Sequence, residues 1–567
     1  MRRLLPAWLR GYRRDQLAGD LSAGLIVTVM LVPQSLAYAM LAGLPPQMGL
    51  YASVLPIIAY AAFGTSMTLA VGPVAVASLM TASALTPLAL PGSPEYVTLA
   101  MVLALLSGVM LVVFGLMRLG FLAHFLSHPV ISGFISGAAV LIAIGQLRHL
   151  LGVRIEADGV VQTVAALITA LPRTNPVTLA VGLGSVVLLV VARSRLPGWL
   201  VAMGLPRPRA ELIARLAPMA VVVLATVVVG VFNLDQVAKV AVVGAVPAGL
   251  PQLPSASQLF PGWESLRELL IPALLISLVG FVESVSVAQS FALKRRQRIN
   301  ADRELLGLGA ANAASALSGG FPVTGGLARS VVNFSAGANT PFAGVVSACL
   351  MAVVLMLFTS WFRAMPHAVL AATILVAVTS LIDLKTLRET WHYDRADALA
   401  LAATALGVII LGVEHGIVLG VALSLAVIVW RGSRPHIAVL GRLPGSEHFR
   451  NIERHTVETL PGWLLLRIDE SLLFANAMQV RARIDAMLAA DPSIQRVVIS
   501  CAGVNQIDST GLETLSALES DLTRQNIQLF LAEVKGPVMD RLAPTGFGQI
   551  MQGRVYLSLH EAVTAAH

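Results

Sequence analysis

Charge is scarce in this chain. Asp, Glu, Lys and Arg make up 12% of its 567 residues, where a soluble globular domain carries about 25%. That shortage excludes an ordinary soluble enzyme. Disorder is excluded too, because 56% of the residues are hydrophobic and disordered chains are poor in them. Cysteine is scarcer still: Cys349 and Cys501 are the whole complement. Two thiols cannot build a disulfide framework, and without CxxC spacing they suggest neither zinc binding nor redox chemistry. His367, His392 and His415 are scattered near segment ends, so no metal site is read from them. No nucleotide loop or nucleophile–base pair stands out. The expectation is a protein that is not an enzyme and needs no cofactor.

The formal net charge is +8, which by itself could suggest a nucleic-acid partner. Its distribution argues otherwise. Residues 1–432 hold 27 Lys and Arg against 17 Asp and Glu, whereas residues 433–567 hold 12 against 14. The basic excess belongs to the apolar part, where cytoplasmic loops of a membrane protein collect Lys and Arg. No nucleic-acid partner is expected, and membrane lipid is.

Residues 1–20 are basic and moderately amphipathic, and lack the apolar core and small-residue cleavage site of a signal peptide. They are expected to be a cytosolic N-terminal segment. A membrane-spanning helix needs roughly 20 apolar residues. From 21 to 432, fourteen segments qualify or nearly do: 21–42, 47–64, 68–86, 97–118, 121–147, 176–193, 213–232, 268–292, 303–319, 322–337, 341–360, 364–382, 396–413 and 415–431. The third, ninth and tenth are weak by hydropathy. With a cytoplasmic N-terminus, the basic stretches 193–216 and 293–303, Lys385, Arg388, Arg395 and Arg431 all fall on the cytoplasmic side. The opposite loop 87–96 has no Lys or Arg, and 233–266 has only Lys239. An even count with both ends inside satisfies the positive-inside rule.

After Arg431 charges recur every few residues. Residues 462–477 read as one or two strands, 479–490 as a helix, 496–504 as a buried strand, 508–526 as a helix and 527–534 as a strand. That alternation predicts an α/β domain with helices packed on a sheet, here over 433–567.

Polar and helix-breaking residues inside apolar segments need a reason. Gln34 and Tyr38 are four apart and share a helix face. An amide and a phenol there either donate to an anion or bond neighbouring helices. The third segment opens with LAVGPVAVASLM (69–80) and the tenth contains GGFPVTGGLARSVVN (319–333). Both move from an extended Gly/Pro-rich stretch into a helix, and they occupy equivalent places in two seven-segment halves. This is the sequence signature of inverted repeats whose half-helices meet at mid-membrane. Each half-helix would aim unpaired N–H groups and a positive dipole end at the gap, an arrangement suited to an anion. A pair of kinked packing helices is the alternative. Glu283 and Arg329 lie well inside apolar segments. Burial raises a carboxyl pKa and a nearby cation lowers it, so Glu283 could exchange a proton; a structural Glu283–Arg329 pair is the other reading. In the C-terminal part, Asp508-Ser509-Thr510-Gly511 opens a helix, and Thr510 with Glu513 has capping-box spacing. A hydroxyl there is also a possible phosphorylation site, because the dipole tolerates added negative charge.

These residues together resemble the sulfate permease (SulP) family, the group that includes the solute carrier 26 anion transporters. The resemblance rests on VPQSLAYAMLAGLPPQMGLYAS (32–53), VGPVAVAS (71–78), the Glu283 region and GLARSVVNFSAGANTPFAG (326–344). SRPHIAVLGRLPGSEHFRNIERH (433–455) and IDSTG (507–511) look like the linker and STAS domain of that family, the linker being especially similar to plant sulfate transporters. The resemblance implies an α-helical polytopic membrane protein of fourteen transmembrane segments in 7+7 inverted repeats, divided into core and gate subdomains and followed by a cytosolic α/β STAS domain. Segments one to four and eight to eleven would form the core. It also implies a homodimer and an anion held between the third and tenth half-helices during alternating access. Carried over by position, Gln34 and Tyr38 contact the anion, Ala75 lends a backbone N–H, Leu327, Ala328 and Arg329 line the tenth helix start, Glu283 sits where proton-coupled members carry an acid, and Ser509 matches the phosphorylatable Ser of anti-anti-sigma factors. Plant sulfate transporters place Ser where this chain has Ala328.

The resulting expectation is a secondary active transporter in a plasma (bacterial inner) membrane, carrying sulfate with protons. C4-dicarboxylate or sodium-coupled bicarbonate transport within the same family, a STAS-linked membrane anion sensor, and an uncoupled anion channel are the rival readings.

Overall fold

The computed structural model describes residues 6–124, 127–155, 159–251, 253–260 and 262–565. The chain divides into two compact units, Met1–Ser424 and Leu425–His567.

In the first unit every apolar segment read from the sequence contains helix. They are α1 (Arg14–Leu41), a broken segment of Gln47–Tyr51 and α2 (Leu55–Phe63), α3 (Ala75–Leu85), α4 (Pro94–Leu116), α5 (His128–Leu151), α6 (Pro176–Ser194) and α7 (Arg207–Val231). The second half holds α8 (Trp263–Lys294), α9 (Ala301–Leu317), α10 (Leu327–Ser335), α11 (Phe342–Leu357), α12 (His367–Val378), α13 (Arg395–Leu411) and α14 (Val413–Gly432). Among the described residues, eight helices are long and apolar enough to cross a membrane. The first helix starts seven residues earlier than its hydropathy suggests. Its N-terminus is fixed at Arg13, whose backbone N–H donates to Gln16 Oε1 at 3.0 Å. Helices not read from the sequence include Val160–Ala170 and Leu384–Tyr393, both short and amphipathic.

Helix contacts sort the unit into two groups. In the first, α9 packs on α4 and α2, α8 on α4, and α1 on α10 and α11. In the second, α5 packs on α13 and α12, and α6 on α12 and α7. This matches the core and gate division that the family resemblance implies. Small residues let the helices approach. A Cβ built on Gly108 of α4 would lie 2.7 Å from the Ala313 nitrogen of α9, and one on Gly309 would lie 2.9 Å from the Gly108 carbonyl. Glycines give such backbone contact inside membranes.

The weak third and tenth segments are only half helical. Each is preceded by a two-residue strand, β1 (Val71–Gly72) and β2 (Thr324–Gly325), and the two pair antiparallel as Val71↔Gly325 and Gly72↔Thr324. Two β-strands buried among helices satisfy each other's backbone groups, which no lipid could.

The second unit is a six-stranded sheet in the order β4-β3-β5-β6-β7-β8. Its strands are β3 (Ile437–Arg442), β4 (Phe449–Asn451), β5 (Trp463–Ile468), β6 (Arg496–Ser500), β7 (Gln528–Ala532) and β8 (Val555–Tyr556). β5 to β8 pair in parallel, and β3 runs antiparallel to both neighbours. Alternate residues feed two cores. Leu464, Leu466, Val497 and Leu529 meet α15 (Ala477–Ala490) and α16 (Ser509–Arg524) through Ile484, Leu515 and Leu518. Leu465, Val498 and Phe530 face Ala562 and Val563 on the opposite side. β3 and β4 fall in the stretch read from sequence as linker.

Candidate functional site

The crossing of β1 and β2 sets up the site. Ser284 of α8 braces it, accepting from the Gly325 N–H at 2.8 Å and bonding Thr324 Oγ1 at 3.1 Å. From the other side, Ser330 Oγ accepts from Ala70 N–H at 2.9 Å, and Asn333 Nδ2 donates to the Thr68 carbonyl at 3.0 Å. Asn312 of α9 fixes the approach to β2, donating to the Val323 carbonyl and accepting from its N–H, both at 2.9 Å. α3 and α10 then start at Ala75 and Leu327, and neither has a side-chain cap. The first N–H groups of a helix have no partner within it. Without a capping side chain those of α3 and α10 are left for a ligand.

Both helix starts open on one cavity of about 560 Å³. Gln34, Tyr38, Ala75, Leu327, Ala328, Arg329 and Glu283, the residues singled out in the sequence, all line it. The opposite wall comes from the second helix group: Leu189 and Arg193 of α6, Glu211 and Arg215 of α7, and Thr373, Ile374, Val376, Ala377 and Val378 of α12. Gln34 and Tyr38 bond no other helix among the described residues, so the interhelical reading of that pair is not realised. Pro33, which precedes them, removes one backbone donor from the middle of α1.

Arg329 is 2% exposed. Its Nη1 donates to the Pro73 carbonyl at 2.5 Å, tying the tenth segment to the third, while Nε and Nη2 are buried without a partner. Gly72 and Gly326 make room for the guanidinium: Cβ atoms built on them would stand 3.4 Å and 3.1 Å from Nη2. Glu283 also has a buried, unpartnered oxygen, Oε2. The two groups share the cavity but form no ion pair, so the structural Glu283–Arg329 pair is not present. Glu283 additionally reaches a narrow gap beside Val130, Phe134 and Ile417, between α5, α8 and α14.

Two fully buried carboxylates escaped the sequence reading. Asp20 accepts from Asn339 N–H, Thr340 N–H and Thr340 Oγ1 at 2.6, 3.0 and 2.7 Å. Glu304 accepts from Tyr60 Oη at 2.7 Å, and from Thr65 N–H and Ser66 N–H at 2.7 and 3.0 Å. Both hold loops next to the half-helices, and neither lines the cavity. Their one sequence signal is a lone acid at the edge of an apolar segment. Arg193 and Arg215 enter the sequence reading only as part of the basic stretch 193–216, and Glu211 does not enter it. Arg215 Nη1 donates to the Val331 carbonyl of α10 at 3.3 Å, across the two helix groups.

In the second unit Ser509 is exposed at the first position of α16. The cap is Asp508, which accepts from Gly511 N–H at 2.8 Å and from Phe474 N–H at 2.7 Å. The Thr510–Glu513 box therefore does not form. Asp508 precedes the helix in extended backbone, and its carboxylate is the stronger acceptor. Ser509 borders a cavity of about 200 Å³ with Asn505, Pro537 and Arg541.

Comparison with known proteins shows the family and the fold. The sequence model described as the sulfate permease family matches residues 17–404. The chain belongs to the sulfate permease family. A STAS domain match covers residues 454–562. This family member is 33% identical over 571 residues to "Sulfate transporter 4.1, chloroplastic" of Arabidopsis thaliana, covering 98% of this chain and 81% of that one. It is 35% identical over 562 residues to a "Probable sulfate transporter" of Mycobacterium tuberculosis (strain CDC 1551 / Oshkosh), covering 98% and 96%. Its fold is that of the murine solute carrier 26 member A9 anion transporter in the inward-facing state, with a TM-score of 0.90 at 24% identity over 99% of this chain and 94% of that one. The transmembrane domain of a cyanobacterial bicarbonate transporter matches 73% of this chain and 98% of its own at 25% identity, with a TM-score of 0.60. This sulfate permease family member is thus a membrane-embedded, multi-pass anion transporter carrying a STAS domain, and not an enzyme.

Proposed function

We propose that the protein is a secondary active transporter that takes up sulfate together with protons. The observation that carries the reading is the pair of uncapped half-helix starts, at Ala75 and at Leu327, opening on the same cavity as Gln34 and Tyr38. A tetrahedral dianion has acceptors enough for several backbone N–H groups, a phenol and an amide at once. Arg329 adds attraction through a low-dielectric site, with its remaining donors, Nε and Nη2, unpaired. Ala328 contributes its N–H alone.

Glu283 is the proton carrier in this reading. It lies on the wall that holds β2 and has an oxygen without a partner. Alternating access moves the first helix group, with the anion, along the second. The cavity is lined by Arg193 and Arg215, which this reading assigns to the cytoplasmic side, and that supports an inward-open form. Residues 1–20 form a cytosolic segment, 21–432 the transporter domain, and 433–567 the linker and STAS domain, in a homodimer of the plasma (bacterial inner) membrane with both ends cytoplasmic. Ser509 is the regulatory phosphorylation site.

The test is uptake into proteoliposomes. Labelled sulfate should accumulate against its gradient under an inward proton gradient, and unlabelled sulfate should compete better than succinate, fumarate or bicarbonate. Binding without counterflow makes the protein a sensor. Preference for a dicarboxylate, or a requirement for sodium, replaces the substrate and coupling ion named above.

A further inference from the structure

The second unit holds a cluster of cations that transport does not use. β3, β4 and β5 end around a cavity of about 300 Å³. One wall is a closed polar cluster. Arg467 donates to Asp469 through Nε at 2.5 Å and Nη2 at 3.1 Å, and His436 Nδ1 lies 2.8 Å from Asp469 Oδ2. Burial pushes the Asp469 pKa up, but the hydrogen bonds from Arg467 and His436 outweigh it and hold the carboxyl below the usual range. Asp469 is therefore ionised, with its acceptors already taken by its own wall.

The facing wall carries Arg450 and Arg454, with His455 beside them. Arg450 spends one N–H on the Phe449 carbonyl at 3.1 Å. Among the described residues neither Arg450 nor Arg454 has an acidic partner. Other arginines of the unit do have one: Arg442 pairs Glu458 at 3.5 Å, Arg481 pairs Asp485 at 3.0 Å, and Arg554 pairs Glu519 at 3.1 Å. Asn451, 8% exposed, forms the floor, and its Oδ1 accepts from Glu453 N–H at 2.8 Å, leaving amide donors over. Three guanidiniums thus line one concavity with a single, already satisfied carboxylate.

We infer that this cavity is an anion site of the STAS domain, built for a tetrahedral oxyanion of two or more charges, either free or as the phosphate of a larger metabolite. Arg450 and Arg454 supply planar forks that match two oxygens each, Asn451 adds an amide, and the Arg467–Asp469–His436 wall fixes the pocket's shape. Two charges on the ligand distinguish it from chloride, which offers these donors half the Coulomb attraction and no bidentate geometry.

The test is isothermal titration calorimetry of the purified full-length protein with inorganic phosphate, with ATP and with chloride as separate probes. Sulfate, the proposed substrate of the membrane cavity, is kept out, and heat from phosphate at that cavity is common to all the variants and subtracts between them. Saturable binding of phosphate, ATP or both is expected, with chloride weaker by at least about tenfold. The phosphate arm against the ATP arm tells a free oxyanion from a nucleotide. In R450Q/R454Q the affinity should fall by about tenfold or more, while R483Q/R524Q, which removes the same charge elsewhere in the unit, should bind like the unmodified protein. R454Q alone, at an exposed residue, carries the same test if the double variant does not fold. Absence of binding by both phosphate and ATP, equal loss in the two double variants, retention in R450Q/R454Q, or chloride binding as tightly as phosphate would overturn the assignment.

Discussion

Tyr38→Phe isolates one donor of the membrane cavity. The phenol lines the cavity and bonds no other helix, so removing its hydroxyl leaves no protein group without a partner. Stability should be unchanged. The loss should fall on the anion instead. A hydrogen bond to a charged acceptor contributes about 1.5–3 kcal/mol, and about 1.4 kcal/mol is a factor of ten in affinity. The half-saturation concentration for labelled sulfate should therefore rise roughly ten- to hundredfold in proteoliposomes. Tyr60→Phe is the matched control. That phenol donates to buried Glu304 Oε2 at 2.7 Å, away from the cavity. Its loss leaves a buried carboxylate short of a donor, which costs about 1–3 kcal/mol or more, so the unfolding midpoint should drop while the half-saturation concentration stays put. Equal half-saturation in Tyr38→Phe and the unmodified protein would refute the reasoning, as would a lowered unfolding midpoint in that variant.

Glu283→Gln should abolish the acceleration of uptake by an inward proton gradient while sulfate counterflow persists; an unchanged pH profile removes Glu283 from the coupling. Gly309→Val should lower the unfolding midpoint by the equivalent of about 1–3 kcal/mol of overpacking, because a Cβ there already lies 2.7 Å from Val112 Cγ2 and 2.9 Å from the Gly108 carbonyl. Thermal scanning of the purified protein checks it, and an unchanged midpoint contradicts the helix contact. Burial, with a smaller contribution from Glu533, pushes the Cys501 thiol up to about 12. Since the thiolate is the nucleophile, Cys501 should resist maleimide labelling at about pH 8 until the protein is denatured, as read by mass spectrometry of the peptide; prompt labelling of the folded protein contradicts its burial.

The half-helices were legible because a Gly/Pro-rich extended stretch before a helix start leaves a mark in the sequence twice, at 69–75 and 319–327. Gln34 and Tyr38 were legible as one face, but only the fold decides between anion and neighbouring helix. Arg329 was read for its charge; that one of its donors is committed to the Pro73 carbonyl depends on the crossing of β1 and β2, which brings residues 256 positions apart into contact. Asp20 and Glu304 were missed for the same reason, since their partners lie across the chain at Thr340 and Tyr60. β3 and β4 read as linker because their short alternating pattern is broken by Gly441, Pro444 and Gly445 and crowded by His and Arg. A strand only three residues long, as β4 is, carries too little periodicity to declare itself.

Selenate, a heavier sulfate isostere, tests the shared pocket most directly. Crystals grown with selenate should give an anomalous peak in the cavity between the starts of α3 and α10, within hydrogen-bonding distance of the backbone nitrogens near Ala75 and Ala328 and of Tyr38 Oη. A peak confined to other parts of the chain, or two helix starts facing away from the bound anion, would contradict the account.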